Sequence, residues 1–227
     1  MIWGIIGAMP SEIALLQTQM SNVKKETVSG LTYQSGILRG KEVVLCCSEI
    51  GKVNAAMCAQ TLALRYNVGC MINTGVAGCT CDDLTVLDLV LSRDLVFHDY
   101  DWKLQEKYHP HTSSFPGDPK LIALAQKALA KMPEHIGYKL GRIATGDVFV
   151  EDEALRQSII ERTHPDCVEM EGAAIALVAY SNKIPCLVIR CMSDNANGDA
   201  GMSFDTFEKI AADHSAKLLL SMLELAE

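Results

Sequence analysis

The chain has 227 residues, of which 49% are hydrophobic and 21% are charged. This composition supplies a large hydrophobic core and excludes a disordered chain. The formal net charge of −8 argues against a surface that binds nucleic acid or an anionic membrane.

Short apolar runs alternate with segments of helical periodicity along the chain. The runs are nearly continuous, which is typical of strands covered on both faces. The predicted strands are Ile2–Gly7, Glu42–Ser48, Cys70–Thr74, Leu87–Val96, Lys139–Thr145, Cys167–Met170 and Cys186–Cys191. The predicted helices are Ser11–Met20, Val53–Tyr66, Pro119–Lys131, Asp152–Arg162, Gly172–Asn182 and Phe204–Leu225.

Strands that alternate with helices predict the α/β class. We expect a single domain over residues 1–227, with a central mixed, twisted β-sheet flanked by helices on both sides. The segment Phe97–Pro119 contains three prolines and several aromatic residues. It predicts a long irregular loop that serves as a lid, a binding loop or a subunit contact.

The cysteines and the first residues indicate a cytoplasmic protein. The chain has nine cysteines, an odd number, and many of them lie within apolar segments. This usage is typical of reduced cysteines that serve as small core residues. Cys79-Thr-Cys81 has the wrong spacing for a zinc knuckle or a thioredoxin-type site. No apolar run approaches the roughly 18 residues that span a bilayer, and the start lacks the basic segment of a signal peptide. We expect no metal, no cofactor and no membrane partner.

Acidic side chains follow most of the predicted strands. In open α/β sheets ligands bind beyond the carboxyl ends of the strands, and such a cleft suits proton transfer and hydroxyl recognition. Nucleotide-loop patterns and the G-x-S-x-G nucleophile motif do not occur, and His109-Pro-His111 indicates a surface loop rather than a metal site. The strand-end residues are Glu12, Glu49, Asp99, Asp147, Glu171, Arg190 and Asp194.

Four of these residues allow both a structural and a functional interpretation. Glu171 either caps the following helix or faces a ligand. Arg190 and Asp194 form an ion pair, or Arg190 orients other carboxylates while Asp194 acts as a general acid with a raised pKa. Glu12 either favours the helix dipole or acts as a general base for water.

The loop after the fifth predicted strand has two apolar residues with a similar ambiguity. Phe149 and Val150 are either core residues, or they offer a face on which a planar base stacks.

Eight motifs occur in order along nearly the whole chain. They are "GIIGAM" with Glu12, "IGKVNAA" at 50–56, "NTGVAG" at 73–78, "HDYD" at 98–101, "GDVF" at 146–149, "VEMEGAAIA" at 168–176, "RCMSD" at 190–194 and "SFDTF" at 203–207. Together they resemble the 5′-methylthioadenosine/S-adenosylhomocysteine nucleosidases of the nucleoside phosphorylase superfamily. The resemblance implies a nucleoside phosphorylase-like fold and a hydrolase of methionine salvage that releases adenine and a thioribose.

The resemblance also implies roles for individual residues. Asp194, held by Ser193, would protonate N7 of adenine, and Glu12 would position and deprotonate the attacking water. Glu171 would accept hydrogen bonds from ribose hydroxyls, with Met170 packed on the sugar.

Further positions are implied to contact the substrate or to complete its pocket. Phe149 would stack on adenine, the Val150 backbone would read its edge, and Phe204 would help to close the site. The 97–119 loop would line the partner's pocket in a homodimer. The remaining substrate-binding positions are Met9, Ile50, Gly78 and Arg190.

The sequence departs from the family pattern at Val76 and Cys79, where a serine and a glycine are expected. Val76 cannot hydrogen-bond the attacking water, so its positioning would rest on Glu12, Arg190 and their neighbours. Two alternatives stay open: a purine nucleoside phosphorylase that uses phosphate, and a non-catalytic nucleoside-binding protein. The absence of anion-binding groups beside "GAMPSE" favours hydrolysis. The preferred 5′-substituent of the nucleoside also stays open.

Overall fold

Ten β-strands and seven α-helices occur in the computed structural model of the protein, which describes residues 1–132, 136–197 and 199–226. The strands are β1 (Trp3–Gly7), β2 (Ser21–Val28), β3 (Leu31–Leu38), β4 (Lys41–Cys47), β5 (Cys70–Cys79), β6 (Leu89–Phe97), β7 (Ser114–Pro116), β8 (Tyr138–Thr145), β9 (Cys167–Glu169) and β10 (Cys186–Asp194). The helices are α1 (Pro10–Gln19), α2 (Lys52–Arg65), α3 (Trp102–Lys107), α4 (Pro119–Leu129), α5 (Glu153–Thr163), α6 (Gly172–Asn182) and α7 (Ala200–Leu225).

All the strands belong to one mixed sheet in the order β10-β6-β8-β9-β5-β1-β4-β3-β2, with β7 paired to β6. Strand β1 runs parallel to β4 and β5, whereas β2, β3 and β4 are antiparallel neighbours. Because β10 pairs with β5 as well as with β6, the strands β10, β6, β8, β9 and β5 close into a ring. The predicted mixed sheet is confirmed, and the ring closure is an additional feature.

Helices cover both faces of the sheet, as predicted. Ile6 and Val188 pack into a core with α2 and α6, whereas Ile5 and Ile189 pack into a second core with α1, α4 and α7. Neighbouring residues on a strand point to opposite faces, so a strand between two helical layers is apolar at every position. This arrangement accounts for the continuous apolar runs in the sequence.

Three segments differ from the sequence-based prediction. The hairpin formed by β2 and β3 was not predicted, because β2 is exposed along its length and carries no apolar run. The predicted loop over 97–119 contains the short helix α3 and the edge strand β7. Helix α7 begins at Ala200, one turn before the predicted start at Phe204.

No helix in the described part of the chain combines the length and the apolar character needed to cross a bilayer.

Candidate active site

A pocket opens where the carboxyl ends of β1, β5, β9 and β10 meet. Its free space is about 490 Å³, part of which is open solvent. Ten of the twelve predicted site residues line it: Met9, Glu12, Ile50, Gly78, Phe149, Met170, Glu171, Ser193, Asp194 and Phe204.

The other two predicted residues lie outside this set. Val150 lines a small adjoining recess together with Phe149 and Met170. Arg190 is 1% exposed and lies behind the pocket wall rather than in it.

Several lining residues escaped the sequence analysis. Ala8, Ala77 and Val168 line the pocket with small apolar side chains, which give no chemical signal in a sequence. Glu49, Asp99 and Asp147 follow strands as predicted, yet they do not line the pocket.

Glu12 is held in the first turn of α1 by backbone donors. The N–H groups of Ala8 and Met9 donate to its Oε2 at 2.6 and 3.0 Å, and that of Val76 donates to its Oε1 at 3.0 Å. Burial raises the pKa of Glu12, while the charge of Arg190 and the three N–H bonds oppose this rise. A carboxylate offers about four acceptor sites, so one is left for a ligand or a water.

Two glycines of β5 make room for the carboxyl groups of the pocket. A Cβ at Gly75 would lie 2.2 Å from Glu12 Oε1, and a Cβ at Gly78 would lie 2.8 Å from Asp194 Oδ1. Only a residue without a side chain lets these buried carboxyls approach the strand so closely.

Asp194 ends β10 and is also buried. The hydroxyl of Ser193 donates to its Oδ2 at 2.8 Å, and the N–H of Ala196 donates to its Oδ1 at 2.7 Å. Burial raises the pKa of Asp194, and these two hydrogen bonds oppose the rise. A carboxyl in such a place is suited to hold a proton and to deliver it to a ligand.

A buried guanidinium lies behind the pocket. Arg190 Nη2 is 2.5 Å from Glu169 Oε2 and 2.5 Å from Asn73 Oδ1, and 3.7 Å from Glu171 Oε2. Arg190 and Glu169 thus form a buried ion pair. The predicted ion pair between Arg190 and Asp194 is not among the salt bridges of the described residues, where Glu169 is the nearest anionic partner of Arg190.

Glu169, rather than Glu171, caps helix α6. Its Oε2 accepts the N–H groups of Glu171 and Gly172 at 3.0 and 2.7 Å, and its Oε1 accepts the hydroxyl of Thr145. These bonds satisfy donors at the start of the helix, where its dipole favours a negative charge. The helix cap therefore accounts for Glu169 and leaves Glu171 free for the pocket.

Glu171 faces the pocket from the start of α6. Its Oε1 accepts the N–H of Gly51 at 2.8 Å. Burial and the charge of Glu169 raise its pKa to about 8, although Arg190 opposes the shift. This carboxyl therefore holds a proton near neutral pH, so it can both donate and accept a hydrogen bond.

A network of ion pairs connects the loops at the rim of the pocket. Lys52 Nζ lies 2.5 Å from Asp99 Oδ2 and 3.6 Å from Asp147 Oδ2. The N–H of Lys52 donates to Asp147 Oδ1 at 2.8 Å. The N–H of Asp147 in turn donates to Asp99 Oδ2 at 2.9 Å. These contacts link the segments after β4, β6 and β8, the same segments that carry Ile50 and Phe149.

An aromatic pair lines the pocket. The ring of Phe149 is 43% exposed and meets the ring of Phe204 edge-on, with centroids 5.7 Å apart. Its free face is available to a planar ligand.

The raised pKa of Glu171 gives a testable pH dependence of stability. Between its ordinary value of 4.5 and about 8, the folded protein keeps a proton that the unfolded chain releases, so stability falls as pH rises through this window. We expect Glu171→Gln to remove this contribution, so that the wild-type protein loses stability relative to the variant from about pH 5 to about pH 8. Urea unfolding of both proteins across this range measures the difference.

The control variant is Glu161→Gln, which changes an exposed carboxyl on α5. Its stability should follow the wild-type curve at every pH. If the Glu171→Gln curve also runs parallel to wild type, Glu171 does not hold the proton that we assign to it.

The whole chain matches known proteins. The model of the family described as "Phosphorylase superfamily" matches residues 3–224. The 5′-methylthioadenosine/S-adenosylhomocysteine nucleosidase of Aeromonas salmonicida is 40% identical over 225 residues, which cover 97% of each chain. The nucleosidase of Streptococcus pneumoniae, solved with 8-aminoadenine, matches with a TM-score of 0.92, 39% identity and 100% of both chains. A futalosine hydrolase mutant of Helicobacter pylori matches with a TM-score of 0.92, 33% identity and 99% of both chains.

These matches agree with the eight motifs and with the mixed sheet covered by helices on both faces. The chain therefore belongs to the phosphorylase superfamily and, within it, to the 5′-methylthioadenosine/S-adenosylhomocysteine nucleosidase family.

Proposed function

We propose that the protein hydrolyses the N-glycosidic bond of 5′-methylthioadenosine and S-adenosylhomocysteine, releasing adenine and a thioribose. The observation that carries the proposal is one pocket in which three buried carboxyl groups, those of Glu12, Glu171 and Asp194, have three different environments. A glycosidic hydrolase needs such groups at the leaving group, the sugar and the water.

The base end of the substrate is assigned to Asp194 and Phe149. Cleavage leaves positive charge on the ribose, and adenine departs readily only if N7 is protonated as the bond breaks. Asp194 supplies that proton, because burial raises its pKa and Ser193 fixes its orientation. Phe149 offers its exposed ring face to the purine, and the backbone of Val150 reads the purine edge.

The sugar is assigned to Glu171 and Met170. Glu171 accepts hydrogen bonds from ribose hydroxyls, and the N–H of Gly51 keeps its side chain turned toward the pocket. Met170 lines the pocket beside it and forms an apolar floor under the sugar.

The attacking water is assigned to Glu12. Three of its acceptor sites are filled by backbone N–H groups. The fourth is free to accept a hydrogen bond from one water in the pocket. Val76 cannot bind this water through its side chain, but its N–H fixes Glu12. Glu12 is therefore the general base and the main residue that positions the water.

Hydrolysis is favoured over phosphorolysis by the charge of the pocket. None of the described residues that line it is a lysine or an arginine, and the nearby Arg190 is buried against Glu169. A bound phosphate would need cationic or hydroxyl donors to replace its hydration shell. A non-catalytic nucleoside-binding protein is the second alternative, and it would leave every nucleoside intact.

We also place the reaction in the cytoplasm. All nine cysteines are free thiols in the structure, and free thiols persist in a reducing compartment.

The direct test is an assay of product release. The purified protein is incubated with methylthioadenosine, S-adenosylhomocysteine, 5′-deoxyadenosine or a futalosine-type nucleoside, with and without phosphate. We expect free adenine from the first two nucleosides and no dependence on phosphate. Release of a ribose 1-phosphate sugar would contradict hydrolysis, and absence of release from every nucleoside would support the binding protein.

The role of Asp194 is tested in the same assay. Asp194→Asn keeps the shape of the side chain and removes the proton, so turnover should fall by about two to four orders of magnitude. The melting temperature should stay close to that of wild type, which separates loss of chemistry from loss of fold. Wild-type turnover in this variant would remove Asp194 from the mechanism.

A homodimer is proposed from an exposed apolar face on one side of the protein. Ring contacts join Tyr100 to Phe97, Phe97 to Phe115, and Phe115 to Tyr180, with centroids 6.1, 6.2 and 5.8 Å apart. An amide hydrogen bond of 3.0 Å between Asn182 and Gln60 joins α6 to α2. The exposed apolar residues of α2, α3, α6 and their neighbours are Val53, Met57, Leu64, Tyr100, Leu104, Tyr108 and Tyr180. A patch of this kind marks a protein contact.

Sedimentation velocity tests the dimer. We expect a dimer for wild type and a monomer for Val53→Glu, which places a charge in the apolar face. Val23→Glu on β2 is the control and should remain dimeric, because Val23 is exposed on the hairpin and does not belong to this face. A wild-type monomer, or a dimer that both variants leave intact, would contradict this interface.

A further inference from the structure

Two cysteines at the end of β5 lie side by side outside the proposed mechanism. The Sγ atoms of Cys79 and Cys81 are 4.0 Å apart. Cys79 is buried, whereas Cys81 is partly exposed. Both thiols are free, and neither lines the pocket.

Charged groups surround this thiol pair. Arg156 Nη2 donates to the carbonyl oxygen of the intervening Thr80 at 3.4 Å. The contact with Cys81 lowers the pKa of Cys79, burial opposes this effect, and the charge of Arg156 adds to the lowering. Cys79 therefore has more thiolate character than an ordinary buried cysteine, whereas the contact with Cys79, burial and the hydrogen bond with Asp83 raise the pKa of Cys81.

The neighbouring carboxylates do not make a metal site. Cys81, Asp83 and Asp166 have ligand atoms close enough to share an ion. However, the ammonium group of Lys139 already pairs with Asp83 at 2.7 Å and with Asp166 at 2.8 Å. The Lys139 ammonium group thus occupies the place that a metal cation would take between these carboxylates. The thiol pair is therefore the reactive feature of this cluster.

We propose that Cys79 and Cys81 form a reversible disulfide on exposure to a low-molecular-weight disulfide, and that this bond distorts the pocket wall. The partly exposed Cys81 thiol passes its proton to the Cys79 thiolate as the Cys81 sulfur attacks one sulfur of the reagent and releases the first reagent thiolate. That thiolate takes the proton from Cys79, and the Cys79 sulfur then attacks the Cys81 sulfur and releases the second reagent thiolate. Two electrons pass from the cysteine pair to the reagent, which leaves as two thiols after taking up the Cys81 proton and one proton from solvent.

The closure has to move the end of β5. The sulfurs must approach from 4.0 Å to about 2.05 Å. Thr80 between them is anchored, since its N–H donates to Asp166 at 3.0 Å and its hydroxyl donates to Pro165 at 2.7 Å. The movement is therefore shared by Cys81 and by Cys79, with Gly78 directly before it in β5.

Gly78 transmits the movement to the pocket. It pairs with Asp194 across β5 and β10, and its Cα hydrogen already faces the Asp194 carboxyl at close range. A disulfide across one intervening residue closes a very short loop, gains little entropic stabilisation and is easily reduced. The bond is accordingly a reversible modification and not a structural crosslink.

The test uses oxidised glutathione on the full-length protein, followed by peptide mapping by mass spectrometry. We expect one peptide that contains a Cys79–Cys81 disulfide and a loss of two of the nine free thiols, counted after denaturation. This readout needs no enzymatic activity, so it is independent of the proposed function. Mapping of the oxidation to other cysteines, or a stable mixed disulfide on Cys81 alone, would overturn the proposal.

The effect of the disulfide on the pocket is measured as the rate of adenine release before and after oxidation. The rate of each oxidised variant is compared with that of the same variant in its reduced form. Wild type should lose most of its activity and regain it with dithiothreitol. Cys81→Ser should be insensitive, whereas Cys47→Ser, which removes the other partly exposed thiol, should stay sensitive. A mapped disulfide that leaves activity unchanged would overturn the coupling, and oxidation-sensitive activity in Cys81→Ser would assign the effect to another thiol.

Discussion

The buried guanidinium of Arg190 is the group on which the site depends. It is almost inaccessible to water, and its Nη2 binds Glu169 and Asn73. Removing one partner of a buried charge pair leaves an uncompensated charge and costs about 3–5 kcal/mol. Glu169 in turn caps α6, and the first turn of that helix presents Glu171 to the pocket. A residue that does not line the pocket therefore determines where a pocket carboxyl lies.

The three pocket carboxyls show how environment divides the work among similar groups. Glu12 is surrounded by backbone N–H donors, Asp194 has a serine hydroxyl and one N–H, and Glu171 lies near a second acid and a buried cation. Burial raises the pKa of all three, while the opposing contacts differ in kind. These differences support a base, an acid and a hydroxyl-binding group within one small volume.

Much of this arrangement was predictable from the sequence, for physical reasons. Buried strands give continuous apolar runs, and polar residues directly after them mark the ligand edge of the sheet, which located Glu12, Glu171 and Asp194. The hairpin of β2 and β3 was not predictable, because an exposed edge has no apolar signal. The closure of the ring depends on β9, a strand of three residues. The inward direction of Arg190 and the pairing of Lys52 at the rim depend on side-chain placement, which strand periodicity does not determine.

We propose that the purine lies on Asp194 and the sugar on Glu171 within the pocket. A crystal structure of the protein with a non-hydrolysable methylthioadenosine analogue tests it most directly. We predict the N7 position within hydrogen-bonding distance of the Asp194 carboxyl, the ribose hydroxyls on Glu171, and the purine against the free face of Phe149. A purine bound elsewhere, or a sugar that contacts Asp194 while the base lies near Glu171, would contradict the claim.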